Sequence, residues 1–353
     1  MKTKHVGIAV LIIIAILGVI AYLLFFNPSN TATTPPNTTI TASYPKVFIT
    51  IVSNFSNSYL NQTLLDKNLY ALIPNLTISY LDFNTPEGQA LQNQVNASFI
   101  PFYVFNSSII NSPAFPSLLK ILTPKPNGNY LLYNFETNQG ALINSSEKPF
   151  SLMLFVDPYQ PASWAAENQT YNFLNNFNHT VNFSINYAIS LNGSEYLSAN
   201  PYGLTNGNFQ AYSSSDLLEI TFQICMQQQN FTDLKYYLNC LNRLLPEDFN
   251  ASNVSLSGMF FRAALSSQSC VEGVGAYNIT QLVSCGQTCF NQTNTTQQIC
   301  IANQTLIKQQ YQLNQQYEIT ASPTYVFNNK YVYFGSILTP QQLQSILCQL
   351  NQC

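Results

Sequence analysis

The longest apolar stretch of the chain runs without a polar interruption from Val6 to Phe26. At about 1.5 Å per residue, a helix of this length crosses a hydrocarbon layer of about 30 Å. It is longer than the apolar core of a cleaved signal peptide and lacks a small-residue cleavage site, so we expect an uncleaved membrane anchor at residues 6–26. Lys2 and Lys4 precede the stretch, which predicts a cytoplasmic segment 1–5 and an extracellular remainder.

Residues 27–43 are rich in Pro, Thr, Asn and Ser and show no apolar period, which is typical of a flexible linker. From residue 44 onward, β-branched and aromatic runs alternate with segments of helical spacing. This order predicts strand, helix, strand, helix, strand, and therefore an α/β sheet with right-handed crossovers. The predicted elements are strands at 46–52, 76–83 and 102–105 and helices at 59–72 and 86–93.

The pattern restarts after residue 147. A strand at 150–156, a helix at 161–177 and a strand at 181–189 are followed much later by a hairpin of strands 324–327 and 331–334 and a capped helix to residue 350. Between them, residues 201–316 show helical spacing without convincing strands, which predicts a helical insertion. The expected domains are thus 44–147 and 148–353.

The composition excludes some classes of protein and favours an external location. Only 8% of the residues are charged and the net charge is −3, so phosphate-backbone binding is disfavoured and we expect no nucleic acid partner. A surface of amides and hydroxyls keeps its hydration in strong acid, which suits an archaeal-type acidophile, although an Asn-rich genome bias would give the same composition.

Asn-x-Ser/Thr sites are about twice as frequent as chance pairing would give, which favours N-linked glycans on an exported surface. The candidate asparagines are Asn37, Asn54, Asn61, Asn75, Asn96, Asn106, Asn144, Asn168, Asn178, Asn182, Asn192, Asn230, Asn250, Asn253, Asn278, Asn291, Asn294 and Asn303. All 8 cysteines also lie beyond the predicted anchor, an even number that suits disulfide bonds in an oxidising compartment. These candidates are Cys225, Cys240, Cys270, Cys285, Cys289, Cys300, Cys348 and Cys353.

Two segments of the second half resemble the DsbA-type branch of the thioredoxin-like proteins. Residues 155–164 resemble the family's turn from strand to helix, and residues 320–332 resemble its cis-proline loop and following hairpin. The resemblance implies that Pro323 follows a cis peptide bond, and that the helical insertion belongs to a DsbA-like domain. In the first half, residues 96–106 resemble a more divergent cis-proline segment, which places Pro101 in the equivalent position.

The family's turn carries a Cys-Pro-x-Cys motif, whereas this chain has Gln160, Pro161, Ser163 and Trp164 there. Thiol–disulfide exchange requires a thiolate and a second thiol, so the family's redox chemistry does not transfer to this degenerate turn. The first half has Asn54 to Asn57 at the corresponding place. The emptied groove near Gln160 and Pro323 could still hold an extended peptide by main-chain pairing.

Other residues could carry chemistry, each with a structural alternative. Cys285 and Cys289 could form a redox couple, but no nearby cation lowers their pKa, so we favour structural bonds to cysteines such as Cys270 and Cys300. By spacing, Cys225 could pair with Cys240, and Cys348 and Cys353 could bond each other or reach cysteines of the insertion. We expect neither a zinc site nor a cofactor.

Ser163, His179 and Asp157 are the residue types of a catalytic triad, but a whole helix separates Ser163 from His179, which argues against it. Trp164 could offer a carbohydrate or peptide platform or simply fill the core. Asp157 could be a buried acid or a turn residue.

The sequence therefore predicts a single-pass membrane protein with two extracellular thioredoxin-like domains. We expect a glycosylated, non-catalytic binding, scaffold or accessory subunit that meets a protein partner at the cell surface. The alternative is an extracytoplasmic thiol–disulfide oxidoreductase or isomerase using Cys285 and Cys289.

Overall fold

Two mixed β-sheets form the framework of the chain in the computed structural model. The structure describes residues 44–54, 62–119, 121–133, 139–158, 160–192, 195–198, 214–244, 279–291 and 298–353. The predicted anchor at 6–26 and the linker at 27–43 lie outside these residues. Within them, no helix combines the length and apolarity that crossing a membrane requires.

The first half begins with a strand–helix–strand unit and continues with shorter elements. A 3₁₀ turn covers Ser107–Asn111. The other elements are β1 (Val47–Ser53), α1 (Gln62–Leu72), β2 (Leu76–Asp82), α2 (Pro86–Val95), β3 (Phe99–Ile100), β4 (Phe102–Phe105), α3 (Phe115–Leu118), β5 (Thr123–Pro124), β6 (Tyr130–Tyr133) and β7 (Gln139–Leu142).

The second half repeats the strand–helix–strand unit and ends in a hairpin and a helix. Its elements are β8 (Ser151–Val156), α4 (Pro161–Asn176), β9 (Asn182–Tyr187), β10 (Ile189–Asn192), β11 (Glu195–Ser198), α5 (Ser214–Gln229), α6 (Phe231–Leu244), α7 (Ile279–Gly286), β12 (Gln287–Asn291), β13 (Gln298–Ala302), α8 (Gln304–Gln316), β14 (Thr324–Phe327), β15 (Tyr331–Phe334) and α9 (Pro340–Asn351).

Both sheets contain the thioredoxin-like strand order. In the first sheet β1 is parallel to β2 and antiparallel to β4, and β6 is antiparallel to β4. In the second sheet β8 is parallel to β9 and antiparallel to β14, and β15 is antiparallel to β14. The peptide bonds before Pro101 and Pro323, at the starts of β4 and β14, are both cis. The fold of the described residues is thioredoxin-like.

The chain crosses from one sheet to the other at Pro101. β3 lies in the second sheet and β4 in the first, with Pro101 alone between them. β3 reaches the second sheet through β7, which pairs with β15 on its other side. Tyr44–Cys353 consequently forms one compact unit. Because β7 precedes residue 147, the predicted domain boundary does not coincide with the boundary between the sheets.

Each half has its own apolar core. In the first, α1 and the segment 107–122 cover one face of the sheet, burying residues such as Ile49, Leu69 and Leu118. In the second, α4 and α9 pack on the face that carries Leu152, Leu154 and Tyr325, with Leu343 and Leu347 contributed by α9. The apolar residues of each helix are spaced so that they form one face, and that face packs against the sheet.

The insertion is not all-helical as predicted. Residues 287–291 and 298–302 form the antiparallel hairpin β12–β13, in which Cys289 lies opposite Cys300. The period-2 pattern of these short strands is carried by Gln, Thr and Cys as well as apolar residues, so hydrophobic alternation did not reveal it.

The outer edge of β9 is covered by side chains of two helices. The side-chain amide of Gln227 accepts a bond from Ile185 N (2.7 Å) and donates one to Ile185 O (3.0 Å). Gln310 Oε1 accepts from Tyr187 N (2.9 Å), and Asn314 Nδ2 donates to Tyr187 O (2.7 Å). These amides take the hydrogen-bonding places of a further strand.

Candidate functional site

The degenerate turn between β8 and α4 is closed by hydroxyl groups. The backbone N–H of Asp157 donates to Ser163 Oγ (3.1 Å) and to Ser322 Oγ (2.7 Å). The two hydroxyls bond each other at 2.9 Å. Ser163 lies in the first turn of α4 and Ser322 directly precedes Pro323, so this cluster joins the helix to the cis-proline segment.

Gln160 and Asp157 interact through their side chains. Gln160 Nε2 donates to Asp157 Oδ2 at 2.9 Å. The backbone N–H of Gln160 donates to Asp157 O at 3.1 Å, which shapes the turn around this pair. Among the described residues, Gln160 Oε1 is buried and has no hydrogen-bond partner. The amide thus contributes one side-chain hydrogen bond to the turn.

Burial decides what this turn can do. Ser163 and Ser322 are both 0% exposed and Gln160 is 9% exposed. Pro323 is also buried, whereas Pro158 and Trp164 are half-buried. A peptide cannot pair with the backbone at Ser322 unless the turn opens, so the closed geometry does not support the groove hypothesis.

Trp164 has a structural role at the start of α4. Its Nε1 donates to Pro158 O at 2.7 Å and thereby ties the helix to the preceding turn. The neighbouring Tyr159 lies outside the described residues.

The Ser163–His179–Asp157 triad does not assemble. His179 lies beyond the far end of α4, where its ring stacks on Phe150 with a centroid distance of 5.2 Å. Ser163 faces the backbone of Asp157 rather than its carboxylate. The residue types for a triad are therefore present without the geometry.

A buried polar layer lies behind the turn. Glu167 on α4 is 1% exposed and lies among tyrosines. Burial, with the Glu167 charge adding to it, raises the pKa of Tyr171 and of Tyr187 well above the usual range. Burial also raises the pKa of Tyr325 to about 12, against hydrogen bonds from Thr170 and the backbone that lower it. The sequence analysis did not single out Glu167.

The corresponding region of the first half is bounded by the chain's own strand. Phe99 and Ile100, which precede Pro101, pair antiparallel with Leu142 and Ala141 of β7. Ile143 N donates to Ser98 O at 2.9 Å. A cavity of about 110 Å³ lies beside this pairing, lined by Ser53, Asn54, Phe83, Asn84, Ile100, Ala141, Leu142, Ile143, Lys330 and Tyr331. Residues 55–57 of the predicted turn lie outside the described residues.

The cysteines form bonds that differ in part from those predicted by spacing. Cys225 on α5 is bonded to Cys285 on α7, 60 residues away, and not to Cys240. The reason is that α5 packs directly against α7, which brings the two residues to a Cα separation of 6.0 Å. Cys348 is bonded to Cys353.

Cys240 and Cys289 are also disulfide-bonded. Within the described residues there is no free cysteine, so Cys285 and Cys289 do not form a free dithiol. Cys270 lies outside the described residues. Within the described part, no three His, Cys, Asp or Glu side chains lie close enough together to hold a metal ion.

The asparagines of the glycosylation motifs lie at the surface wherever their exposure is described. Those that are exposed or half-exposed are Asn54, Asn75, Asn96, Asn106, Asn144, Asn168, Asn178, Asn182, Asn230 and Asn303. The buried asparagines of the described part are Asn186, Asn314, Asn328 and Asn329. None of these four begins an Asn-x-Ser/Thr motif. The side chains of Asn192 and Asn291 and the whole of Asn37, Asn61, Asn250, Asn253, Asn278 and Asn294 lie outside the described part.

Comparison with known proteins places the structure beside bacterial disulfide oxidoreductases. The sequence matches no protein-family model and no curated protein. The structure is similar to the oxidoreductase NmDsbA1 from N. meningitidis, with 10% identity over 65% of this chain and 97% of that one at a TM-score of 0.35. It is also similar to Pseudomonas aeruginosa DsbA (11% identity, 62% and 93%, TM-score 0.36).

A third similar structure is DsbL from Salmonella enterica serovar Typhimurium, with 10% identity over 63% of this chain and 98% of that one at a TM-score of 0.36. The assignment of a thioredoxin-like fold rests on the strand order and register of the chain itself.

Proposed function

We propose that this chain is a non-catalytic, disulfide-stabilised protein of the cell surface, held by its N-terminal apolar segment and serving as a scaffold or accessory subunit for a protein partner. The observation that carries the proposal is the closed turn. Where a thiol–disulfide oxidoreductase needs an exposed thiolate, Ser163 and Ser322 bond each other and Asp157 N in a solvent-excluded cluster.

The disulfide bonds support the external location. Cys225, Cys285, Cys348 and Cys353 pair with one another in two bonds. Such bonds persist in oxidising compartments and are rare in reducing ones. Since Cys285 is bonded to a residue of a neighbouring helix, the alternative redox couple with Cys289 is not favoured.

The positions of the asparagines support glycosylation. A glycan acceptor must be at the surface, and every described acceptor candidate is, while the buried asparagines all lack the motif. Two candidates have an amide nitrogen already engaged: Asn75 Nδ2 donates to Tyr44 O and Asn303 Nδ2 to Cys285 O, both at 2.8 Å. Glycopeptide mass spectrometry should therefore find these two less occupied than Asn144 or Asn168.

A disulfide-reduction assay tests the absence of redox catalysis. The full chain in mild detergent should reduce a model disulfide, or oxidise a model dithiol, no faster than buffer with the same thiol–disulfide reagent. The variant Q160C/S163C restores a Cys-Pro-x-Cys sequence and should acquire a cysteine pair that alkylating reagents detect after reduction. S163C alone is the matched control, because it adds a thiol without a resolving partner.

Activity of the wild-type chain that disappears in C285S would overturn the proposal in favour of the oxidoreductase. Chemical crosslinking on intact cells tests the other half of the proposal. A protein that crosslinks reproducibly to the wild-type chain is the expected result, and a chain that forms no crosslinks contradicts an accessory role.

A further inference from the structure

An open aromatic groove lies at the far end of α4, away from the degenerate turn. It has a volume of about 630 Å³, within the range of about 300–1,000 Å³ of ordinary small-molecule sites. It is lined by Pro149, Phe150, Leu174, His179, Thr180, Val181, Asn182 and Phe183. The groove is therefore mostly apolar, with a few hydroxyl, amide and imidazole groups.

Phe150 is fixed in the groove in an unfavourable backbone conformation. Its φ is +53°, in the left-handed region that bulky residues avoid. The backbone N–H of Phe150 donates to Asn351 Oδ1 at 3.2 Å, and the backbone N–H of Asn182 donates to the carbonyl oxygen of Phe150 at 2.8 Å. Glycine would occupy this position without strain. The ring of Phe150 packs against the apolar core of the second half and also lines the groove, at the cost of this backbone strain.

The ring is part of an aromatic platform. The ring of His179 lies nearly parallel to that of Phe150, with an interplanar angle of 22°. On another side, the centroids of the His179 and Phe177 rings are 5.3 Å apart. His179 is exposed. An exposed aromatic ring beside a groove suits the apolar C–H face of a sugar ring, while neighbouring hydroxyl and amide groups suit its hydroxyls.

A glycan acceptor forms part of the groove itself. Asn182, the first residue of the motif Asn182-Phe183-Ser184, is exposed and lines the groove together with Phe183. A sugar attached there is held beside the platform by its covalent link. Stacking that is too weak to retain a free sugar is sufficient for a tethered one, because tethering raises the effective concentration to the millimolar range.

We propose that the groove binds the proximal sugars of the glycan attached to Asn182, so that this glycan is a structural part of the second half of the chain. The proposal rests on the glycosylation included in the proposed function. It commits to the chain's own carbohydrate at Asn182, and a glycan on the neighbouring Asn178 is an outcome that the test distinguishes.

The test compares the thermal unfolding of glycosylated variants. The full chain is produced in a host that attaches N-linked glycans, and occupancy is measured at each site by mass spectrometry. N182Q should lower the Tm by about 2 °C relative to wild type, the size expected for the loss of one stacking contact in a unit of this length. N168Q, an exposed acceptor on α4 outside the groove, is the matched control and should leave the Tm unchanged.

A second variant separates a packed glycan from a merely attached one. F150G fits the left-handed backbone and removes the ring. In the F150G background, N182Q should have no further effect on the Tm. In the folded wild-type protein, an endoglycosidase should also release the Asn182 glycan several-fold more slowly than the Asn168 glycan, and denaturation should abolish that difference.

Each other result overturns the inference in a recognisable way. If other motifs are occupied and Asn182 is not, the inference fails while the proposed glycosylation stands. If Asn182 is occupied but N182Q and N168Q behave alike, the groove does not hold the glycan. If N178Q lowers the Tm and N182Q does not, the groove holds the glycan of Asn178 and the proposed occupant is wrong. If no motif is occupied, the proposed glycosylation itself fails.

Discussion

In the first half of the chain the residues before Pro101 pair with strand β7, whereas in the second half the residue before Pro323 is held by side chains. Both arrangements occupy the segment that directly precedes the cis-proline. Backbone pairing tolerates many side chains, but the second closure depends on two serines. The second turn is thus the one whose properties a few substitutions can change.

The halves also differ in covalent support. The described disulfide bonds lie in the second half, where they tie the insertion and the last helix. The insertion makes the connection between β9 and β14 long. A cross-link across a long connection lowers the conformational entropy of the unfolded chain more than one across a short connection. The first half, with its short connections, relies on packing and pairing alone in its described residues.

The largest expected effect comes from removing the long cross-link. C225S/C285S opens a bond that spans 60 residues and should lower the free energy of unfolding by about 4 kcal/mol. C348S/C353S, which spans 5 residues, should cost about 2 kcal/mol and serves as the control. Urea titration measures both, and equal losses would contradict the loop-length argument.

The next effect tests the backbone closure of the first half. A Cβ added at Gly140 would lie 2.0 Å from the ring of Phe99 and 2.5 Å from the backbone oxygen of Ile100, so G140A should destabilise by about 1–3 kcal/mol. In an F99L background the same substitution should cost less, because the smaller side chain removes the first of these two clashes. A double-mutant cycle in urea gives the coupling, and additive losses would show that the Phe99 ring does not determine the cost.

The hydrogen bonds of the Ser163 and Ser322 hydroxyls should contribute less to the free energy of unfolding. S322A removes the stronger acceptor of Asp157 N and should cost about 1–2 kcal/mol. S163A should cost a similar amount, and the double variant less than the sum, because the hydroxyls also bond each other. Additivity of the two losses would argue against a single cluster.

The smallest effect concerns Glu318, which follows α8 and bonds Ser98 of the first half. Burial raises the pKa of Glu318, although the Ser98 bond and the Lys125 charge lower it. The pKa of Glu318 is higher in the folded chain than in the unfolded chain. Its contribution to the free energy of unfolding is therefore fully present below the unfolded pKa and is lost as the pH rises through the folded pKa. E318Q should flatten this decline at pH values above the ordinary glutamate pKa of 4.5, and an unchanged dependence of the Tm on pH would contradict it.

The sequence predicted the elements with strong local patterns. The hairpin 324–327 and 331–334 has the predicted bounds, because apolar alternation and the Asn328–Lys330 turn are both local signals. The pattern missed β3 and β7, whose short runs become strands only by pairing with each other and with β15. Tertiary context decides such segments.

The site was predictable in its chemistry but not in its closure. The absence of cysteine at Gln160 and Ser163 is visible in the sequence. The contact of Ser163 with Ser322 joins residues 159 positions apart, and no spacing rule reaches that far. The same holds for Cys225 and Cys285, since eight cysteines allow 105 pairings.

The amide side chains along β9 have a consequence for behaviour in acid. Charged side chains protect many sheet edges from neighbouring molecules, and where these are carboxylates, protons neutralise the charge in acid. Gln227, Gln310 and Asn314 instead occupy the edge with groups that do not titrate. This margin of the sheet should therefore resist fibril growth at low pH as well as it does at neutrality.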